Sequence, residues 1–339
     1  MTKTSNERYF DLRTQDQADL LRSLAPVMGR RAEILEKDIW LCQVLDLLFR
    51  LPCCKPMAFK GGTSLSKVYR AIDRFSEDID VTVDYRSLDA NAPDLDNMTS
   101  NNQRSKFSER LRSALATHIT DELAPALQTA LQKALPQTPT SLEISDDAEK
   151  LWVYYPSAVE NSDAYLRPSI LIEFGGRNST LPQDRLVIAP DIADHVPGLE
   201  LPTAQLAVLS GARTFWEKAT LIHVECHRSA LRASAERLSR HWYDLAKLAD
   251  HSVGQEAIHD RALLDDVLRI KQTFYRSGFS HYEQCATGGL RLVPDAPLLI
   301  ALQQDYQAML DAQMFYGETP SFEQIIERLR VLEKSINTV

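Results

Sequence analysis

Apolar residues recur at helical spacing in two early stretches. In "RRAEILEKDIWLCQVLDLLFRL", Leu35, Ile39, Cys42, Leu45 and Phe49 form a stripe that Leu41 and Leu48 widen, and "QADLLRSLAP" before it reads as a shorter helix. Pro52 and Pro56 end the second helix, and "MAFKG" is a short strand running into Gly61 and Gly62. A helix over about 64–71 follows. In "DIDVTVDY" the pattern changes: Ile79, Val81 and Val83 alternate with Asp80, Thr82 and Asp84, the period of two that marks a strand. The stretch "SLDANAPDLDNMTSNNQ" is polar and turn-rich, and an amphipathic helix or broken pair spans about 105–134. Strands return at "SLEIS", "KLWVYYP" and "RPSILIEFGG". Beyond a loop region around Pro182 to Pro202 the pattern reads helical to the end. This order predicts an α+β fold: an N-terminal helical segment over 1–55, a mixed-sheet core over 56–200 and a helical C-terminal subdomain over 201–339.

Composition narrows this picture little. At 339 residues the chain exceeds one compact core, which fits two subdomains sharing an interface. No apolar run approaches the roughly 18–20 residues of a membrane span, and "MTKTSNERYFDLRTQDQADLL" has no apolar signal core, so a cytoplasmic protein is expected. The five cysteines include no C-x-x-C pair, which argues against a disulfide framework. A net charge of −9 excludes a protein that grips nucleic acid over its whole surface but leaves room for a local basic site.

The densest chemistry lies in "AFKGGTSLSKVYRAIDRFSEDIDVTVDY". A Walker loop needs its second glycine directly before the lysine; Gly61 and Gly62 are adjacent and Lys67 comes five residues later, so that motif is absent. Alone, the pair is a turn capped by Thr63. Asp78 and Asp80, two apart where a strand begins, project from one face. Like charges held this close are stable together mainly when a cation bridges them. Upstream, a strand ending in Gly-Gly before a helix exposes backbone N–H groups that, with the Thr63 and Ser64 hydroxyls, suit a phosphate. A phosphate cradle beside a dicarboxylate describes a nucleotidyltransferase.

"KGGTSLSKVYRAIDRFSEDIDV" resembles the first motif of the AbiEii/AbiGii-type nucleotidyltransferases, many of them toxins of bacterial toxin–antitoxin pairs. "EILEKDIWLCQVLDLLF", "LSGARTFWEKATLIH", "RHWYDLAKL" and the tail "DYQAMLDAQMFYGETPSFEQIIERL" extend the resemblance over nearly the full length. One departure is the interval from the Gly-hydroxyl pair to the first aspartate, longer than the minimal nucleotidyltransferase pattern. The resemblance implies a nucleotidyltransferase-like core, an NTP substrate, an antitoxin partner encoded nearby, and RNA such as tRNA as acceptor.

Two-metal transfer chemistry calls for a third carboxylate. Glu173, in the apolar run "SILIEFGG", is the candidate, since an unpaired charge there is costly; otherwise it caps the strand or faces a salt bridge. Hard oxygen ligands suit Mg2+, with Mn2+ as substitute. Lys218 is either a lysine snorkelling from an amphipathic helix or, as the resemblance implies, a triphosphate contact. Asp244 among Trp242, Tyr243 and Leu245 needs a partner, Lys218 or the nucleotide, in a catalytic or a plain structural pair. Arg240 touches phosphate or a solvated face. Together with Gly61, Gly62, Thr63, Ser64 and Lys67, these complete the nucleotide-binding set.

The segment 223–242 holds four arginines and three histidines against two glutamates. On one continuous helix Arg228 would share a face with Arg232, and Arg237 with Arg240, offering phosphate contacts to a nucleic-acid acceptor. His223-x-x-x-His227 lacks the glutamate of the zinc motif, and zinc is not expected. Ser76, two residues before Asp78, is a turn serine or a place where added phosphate would silence the carboxylates. Two other functions stay open: an NTP-binding protein without transfer activity, and a nucleotidyltransferase acting on a small molecule or protein.

Overall fold

The computed structural model describes residues 7–159, 167–228 and 237–338. Helices α1 (Thr14–Met28) and α2 (Ala32–Phe49) open the chain after the two-residue strand β1 (Glu7–Arg8). The core follows with β2 (Met57–Lys60), α3 (Gly61–Lys67), β3 (Ile79–Asp84), α4 (Tyr85–Leu88), α5 (Asn101–Thr117) and α6 (Ala124–Ala134). It continues with β4 (Ser141–Ile144), β5 (Lys150–Tyr154), β6 (Ser169–Asn178), β7 (Gln183–Ile188), β8 (Leu199–Glu200) and β9 (Ala204–Leu209). Helices α7 (Gly211–Cys226), α8 (Arg240–Asp250), α9 (Ser252–His259), α10 (Arg261–Phe274), α11 (Tyr282–Ala286), α12 (Ala296–Asp311) and α13 (Phe322–Thr338) form the rest.

Seven strands make one mixed sheet in the order β4-β5-β6-β3-β2-β9-β7. The alternation in β3 does what the sequence predicts. Ile79, Val81 and Val83 enter a core with Phe59, Ile170, Ile172 and Phe174, packed against Leu41, Val44, Leu45 and Leu48 of α2 and Leu127 and Leu131 of α6. The opposite face keeps the polar positions. The helices from α7 onward bury a second core around Phe215, Trp216, Trp242, Leu264 and Leu329, into which Leu65, Ala71 and Ile72 reach back from the α3 region.

Several elements differ from expectation. Strand β7 and the two-residue β8 lie within the 182–202 stretch read as loop. Helix α3 begins at Gly61 and stops at Lys67, earlier and shorter than the 64–71 reading. Of the two readings for 105–134, one long helix or a broken pair, the first holds: α5 and α6 join without a break through a π turn over His118–Leu123. Strand β9, "AQLAVL", lies past the boundary drawn at residue 200 yet pairs with β2 inside the sheet; a six-residue apolar run cannot be told from a buried helix segment by periodicity alone. Near the other end of the chain, Phe75 donates its N–H to the Met314 carbonyl at 2.7 Å and Tyr316 donates to Asp73 at 2.8 Å, so Arg74 is bridged antiparallel to Phe315.

Candidate active site

Sheet register assembles the first part of the site. Asp80 on β3 has Lys60 on β2 as one neighbour and Glu173 on β6 as the other, and Lys150 on β5 lies next to Glu173. One row across four strands therefore reads plus, minus, minus, plus. The outer cations are engaged: Lys150 Nζ lies 2.7 Å from Glu173 Oε1, and Lys60 Nζ lies 2.9 Å from Oε2 of Glu217 on α7. Asp78 stands immediately before β3. Burial, then the charges of Glu77, Asp80 and Glu173, push its carboxyl up to about 6. Burial also raises Asp80, with Lys60, Arg240 and Lys218 opposing and Glu173 adding to the shift.

This donor set suits a divalent cation: hard carboxylate oxygens whose ionised forms repel one another. Among the described residues no group of three or more His, Cys, Asp or Glu side chains is arranged to hold a metal ion, and Glu173 is turned to Lys150.

The Gly-Gly turn is shaped by these carboxylates. Gly61 has φ of 79°, and a Cβ there would stand 1.9 Å from Asp80 Oδ2. At Gly62 a Cβ would meet Arg74 Nη2 at 2.5 Å and Ser76 Oγ at 2.9 Å. Only glycine admits both neighbours. Gly61→Ala is expected to cost about 1–2 kcal/mol from backbone strain alone and to displace Asp80. Chemical denaturation measures the first effect and nucleotide transfer the second; an alanine variant as stable and active as the parent would refute this account.

The hydroxyls behind the turn do not serve as expected. Thr63 and Ser64 are fully buried. Thr63 Oγ1 donates to the Asp78 carbonyl at 2.6 Å and lies 2.9 Å from Ser76 Oγ, and Ser64 Oγ donates to the Gly61 carbonyl at 2.9 Å. Their role is to fix the turn and the approach to Asp78, which corrects their reading as phosphate ligands. Lys67 needs the same correction. Its ammonium pairs with Asp38 of α2 and, at 2.9 Å, with Asp191. It lines, with Ser76, Glu77 and Arg70, a polar cavity of about 530 Å3 to which none of the three carboxylates contributes.

Helices α7 and α8 supply the second part. Asp244, fully buried, takes Arg74 Nε at 2.6 Å and Nη2 at 2.7 Å, and Lys218 Nζ lies 2.8 Å away. Burial alone would raise its pKa, but the two cations hold it well below the usual carboxylate range. Burial lowers Lys218 below its ordinary value, Asp244 opposes this, and Arg74 and Arg240 add to it. Arg240 is the first residue of α8, and its charge acts on both Asp78 and Asp80. The structure thus gathers Asp78, Asp80, Glu173, Lys218, Asp244 and Arg240, and leaves Lys67 elsewhere.

The basic segment is not one helix. Helix α7 ends at Cys226, Arg228 pairs back to Glu225 at 2.9 Å, and Arg232 lies outside the described residues. Arg237 precedes α8 with φ of 58° and reaches Glu77 at 3.5 Å, so it shares no helical face with Arg240.

Sequence reading missed Lys60, Arg74, Lys150 and Glu217. Of these only Arg74, four residues before Asp78, had a signal in its position. Glu217 is held down to about 2: burial would raise it, but Lys60, Lys271 and Arg213 prevail, and Asn178 Nδ2 donates to it at 2.7 Å.

A mixed sheet with paired carboxylates set against a Gly-Gly turn has the design of a nucleotidyltransferase core. A family model described as the nucleotidyl transferase AbiEii toxin of type IV toxin–antitoxin systems matches residues 45–328, and the chain belongs to that family. It is therefore a nucleotidyltransferase toxin of a type IV system, a class that implies a cognate antitoxin. No curated protein matches it. Among solved structures it is similar to MenT4, a nucleotidyltransferase toxin of Mycobacterium tuberculosis H37Rv, at 18% identity and a TM-score of 0.44, over 96% of this chain and 98% of that one. Among the described residues no helix is long and apolar enough to cross a membrane.

Proposed function

We propose that the protein moves NMP from an NTP to an RNA acceptor such as tRNA in the cytoplasm, using Mg2+ or Mn2+. The observation that carries this reading is the row of Lys60, Asp80, Glu173 and Lys150 with Asp78 at its edge: partly buried carboxylates set side by side, faced by the cations of α7 and α8. Asp78 and Asp80, with Glu173 once it leaves Lys150, would hold the metal. When bound, the ion would neutralise charge on the transferring phosphoryl group and favour ionisation of the attacking hydroxyl.

The protein's own part is positioning and charge. Lys218 and Arg240 bring positive charge to the triphosphate. Asp244, clamped by Arg74, fixes the Lys218 ammonium on the side of Asp80 and keeps it from collapsing onto that carboxylate. Gly61 and Gly62 let the backbone approach, so their amides are the phosphate contacts of the turn. Incubating the protein with each labelled NTP, total RNA and Mg2+ tests the proposal; labelled RNA is the expected product. Bound NTP with no labelled product would show the protein to be a nucleotide binder without transfer activity. Label on protein or a small molecule would redirect the acceptor.

The carboxylates also predict a pH-dependent metal response. Asp78 titrates near 6 in the fold against 3.8 unfolded, so its proton is held more tightly in the folded state. Its ionisation costs stability progressively from about pH 4, and the cost is complete above about pH 6. A cation relieves that cost only where the carboxyl is ionised. Mg2+ is therefore expected to raise the melting temperature by a few degrees at pH 7.5 and by little at pH 5. The same shift at both pH values, or a shift that survives Asp78→Asn with Asp80→Asn, would remove these residues as ligands.

A further inference from the structure

The polar face of the sheet carries a second group of residues beyond the carboxylates. Along β6, Glu173 and Gly175 stand opposite Asp80 and Thr82 of β3; beyond Gly175 the register slips, Asn178 standing opposite Asp84, so Arg177 falls in the irregular stretch and is placed by its contacts. Helix α10 contacts β6 and ends at Phe274; the next residue, Tyr275, is 40% exposed. Arg177 Cζ lies 5.2 Å from the Tyr275 ring centroid and Lys271 Nζ lies 4.9 Å from it. Among the described residues the ion pair of Arg177 is a long one, 3.5 Å, to Glu149. Burial pulls Lys271 down to about 8 although Glu217 opposes it. Between this group and the carboxylates the sheet presents Gly175. The nearest atoms to a Cβ there would be Thr82 Oγ1 and the Val81 carbonyl, both at 4.0 Å. Thr82 is fully buried, and its hydroxyl has no hydrogen-bond partner among the described residues.

The cations around the carboxylates come from different elements. Arg240 acts on Asp78 and Asp80 at the start of β3. Lys60 acts on Asp80 and is itself influenced by Tyr275. Phosphoryl transfer places the attacking and leaving oxygens on opposite sides of phosphorus. With the triphosphate toward Lys218 and Arg240, the nucleophile enters from the end of the sheet that carries Tyr275.

The geometry points to Arg177, Tyr275 and Lys271 as the seat of the acceptor RNA's single-stranded end, the ring stacking on a base and the two cations taking flanking phosphates. This assignment rests on the nucleotidyl-transfer reading for its choice of acceptor. It also accounts for an acidic chain holding RNA, since the contact is confined to one end of the site.

Anisotropy of an end-labelled single-stranded RNA oligonucleotide tests it with the full chain and without requiring transfer. Tyr275→Ala is expected to weaken binding about tenfold and Tyr275→Phe to restore it. The pair Arg177→Gln with Lys271→Gln should flatten the dependence of affinity on salt by about two phosphate contacts. NTP affinity, measured by calorimetry, should stay at the parent value in all of them. Unchanged RNA affinity in Tyr275→Ala, or no RNA binding by the parent protein, overturns the assignment. So does a selective loss of NTP affinity, which would make the ring the seat of the incoming base. If RNA binding depends on Tyr275 while no nucleotide is transferred, the acceptor seat stands and the transfer reading falls.

Discussion

Asp80→Asn should lower nucleotide transfer by roughly 10³-fold, about 4 kcal/mol of transition-state stabilisation, while making the protein more stable. The second half follows from the neighbours. Ionised Asp80 sits beside Glu173 with Asp78 close by, and burial with Glu173 raises its pKa. A neutral isostere removes that repulsion. Lys60 is not left unpaired, because its ammonium stays 2.9 Å from Glu217. A gain on the order of 1 kcal/mol is expected, the usual sign of a site built for function at the expense of stability. Parallel transfer assays and denaturant titrations check both halves. Transfer at the parent rate would displace Asp80 from the chemistry, and a clear loss of stability would mean that its charge supports the fold.

Asp244→Ala should behave in the opposite way. Its carboxylate is fully buried between Arg74 and Lys218, and deleting it leaves two buried cations facing each other. Breaking a buried pair by removing one partner typically costs about 3–5 kcal/mol. The loss should appear as a melting temperature lower by several degrees, with transfer falling as well because Lys218 is no longer held. Lys218→Met in the same background should recover part of the stability, since it removes one of the orphaned charges, but none of the transfer. An Asp244→Ala protein that melts like the parent yet transfers nothing would make Asp244 a direct catalytic group instead of the clamp described here.

These two aspartates show what the sequence reveals and what it withholds. Asp80 is legible because its strand is: alternation with Ile79, Val81 and Val83 fixes its face, and the glycines upstream declare a turn that something must approach. Asp244 is legible only as a charge in need of a partner. That the partner includes Arg74, 170 residues away, is a tertiary fact with no local trace. Lys67 fails for the same reason. Beside Gly-Gly it has the composition of a phosphate ligand, yet Asp38 and Asp191, 29 and 124 residues distant, claim it. Thr63 and Ser64 point inward because α3 starts at Gly61, three residues before the helix that the apolar spacing suggests. Strand β9 was hidden because its pairing with β2 lies across the sheet and not in its own pattern.

The bridge between Arg74 and Phe315 has a consequence for when the toxin becomes active. Arg74 holds Asp244, Asp244 holds Lys218, and the backbone on either side of Arg74 is tied to residues 314 and 316. A ribosome making this chain reaches Phe315 about 240 residues after Arg74, an interval of roughly 10–50 s. Until then the carboxylates can gather on their sheet, and the loop that orders the cationic side is held by Asp244 but lacks its backbone tie to residues 314 and 316. The cationic side of the site is thus completed only after a segment about 240 residues downstream of Arg74 has been made.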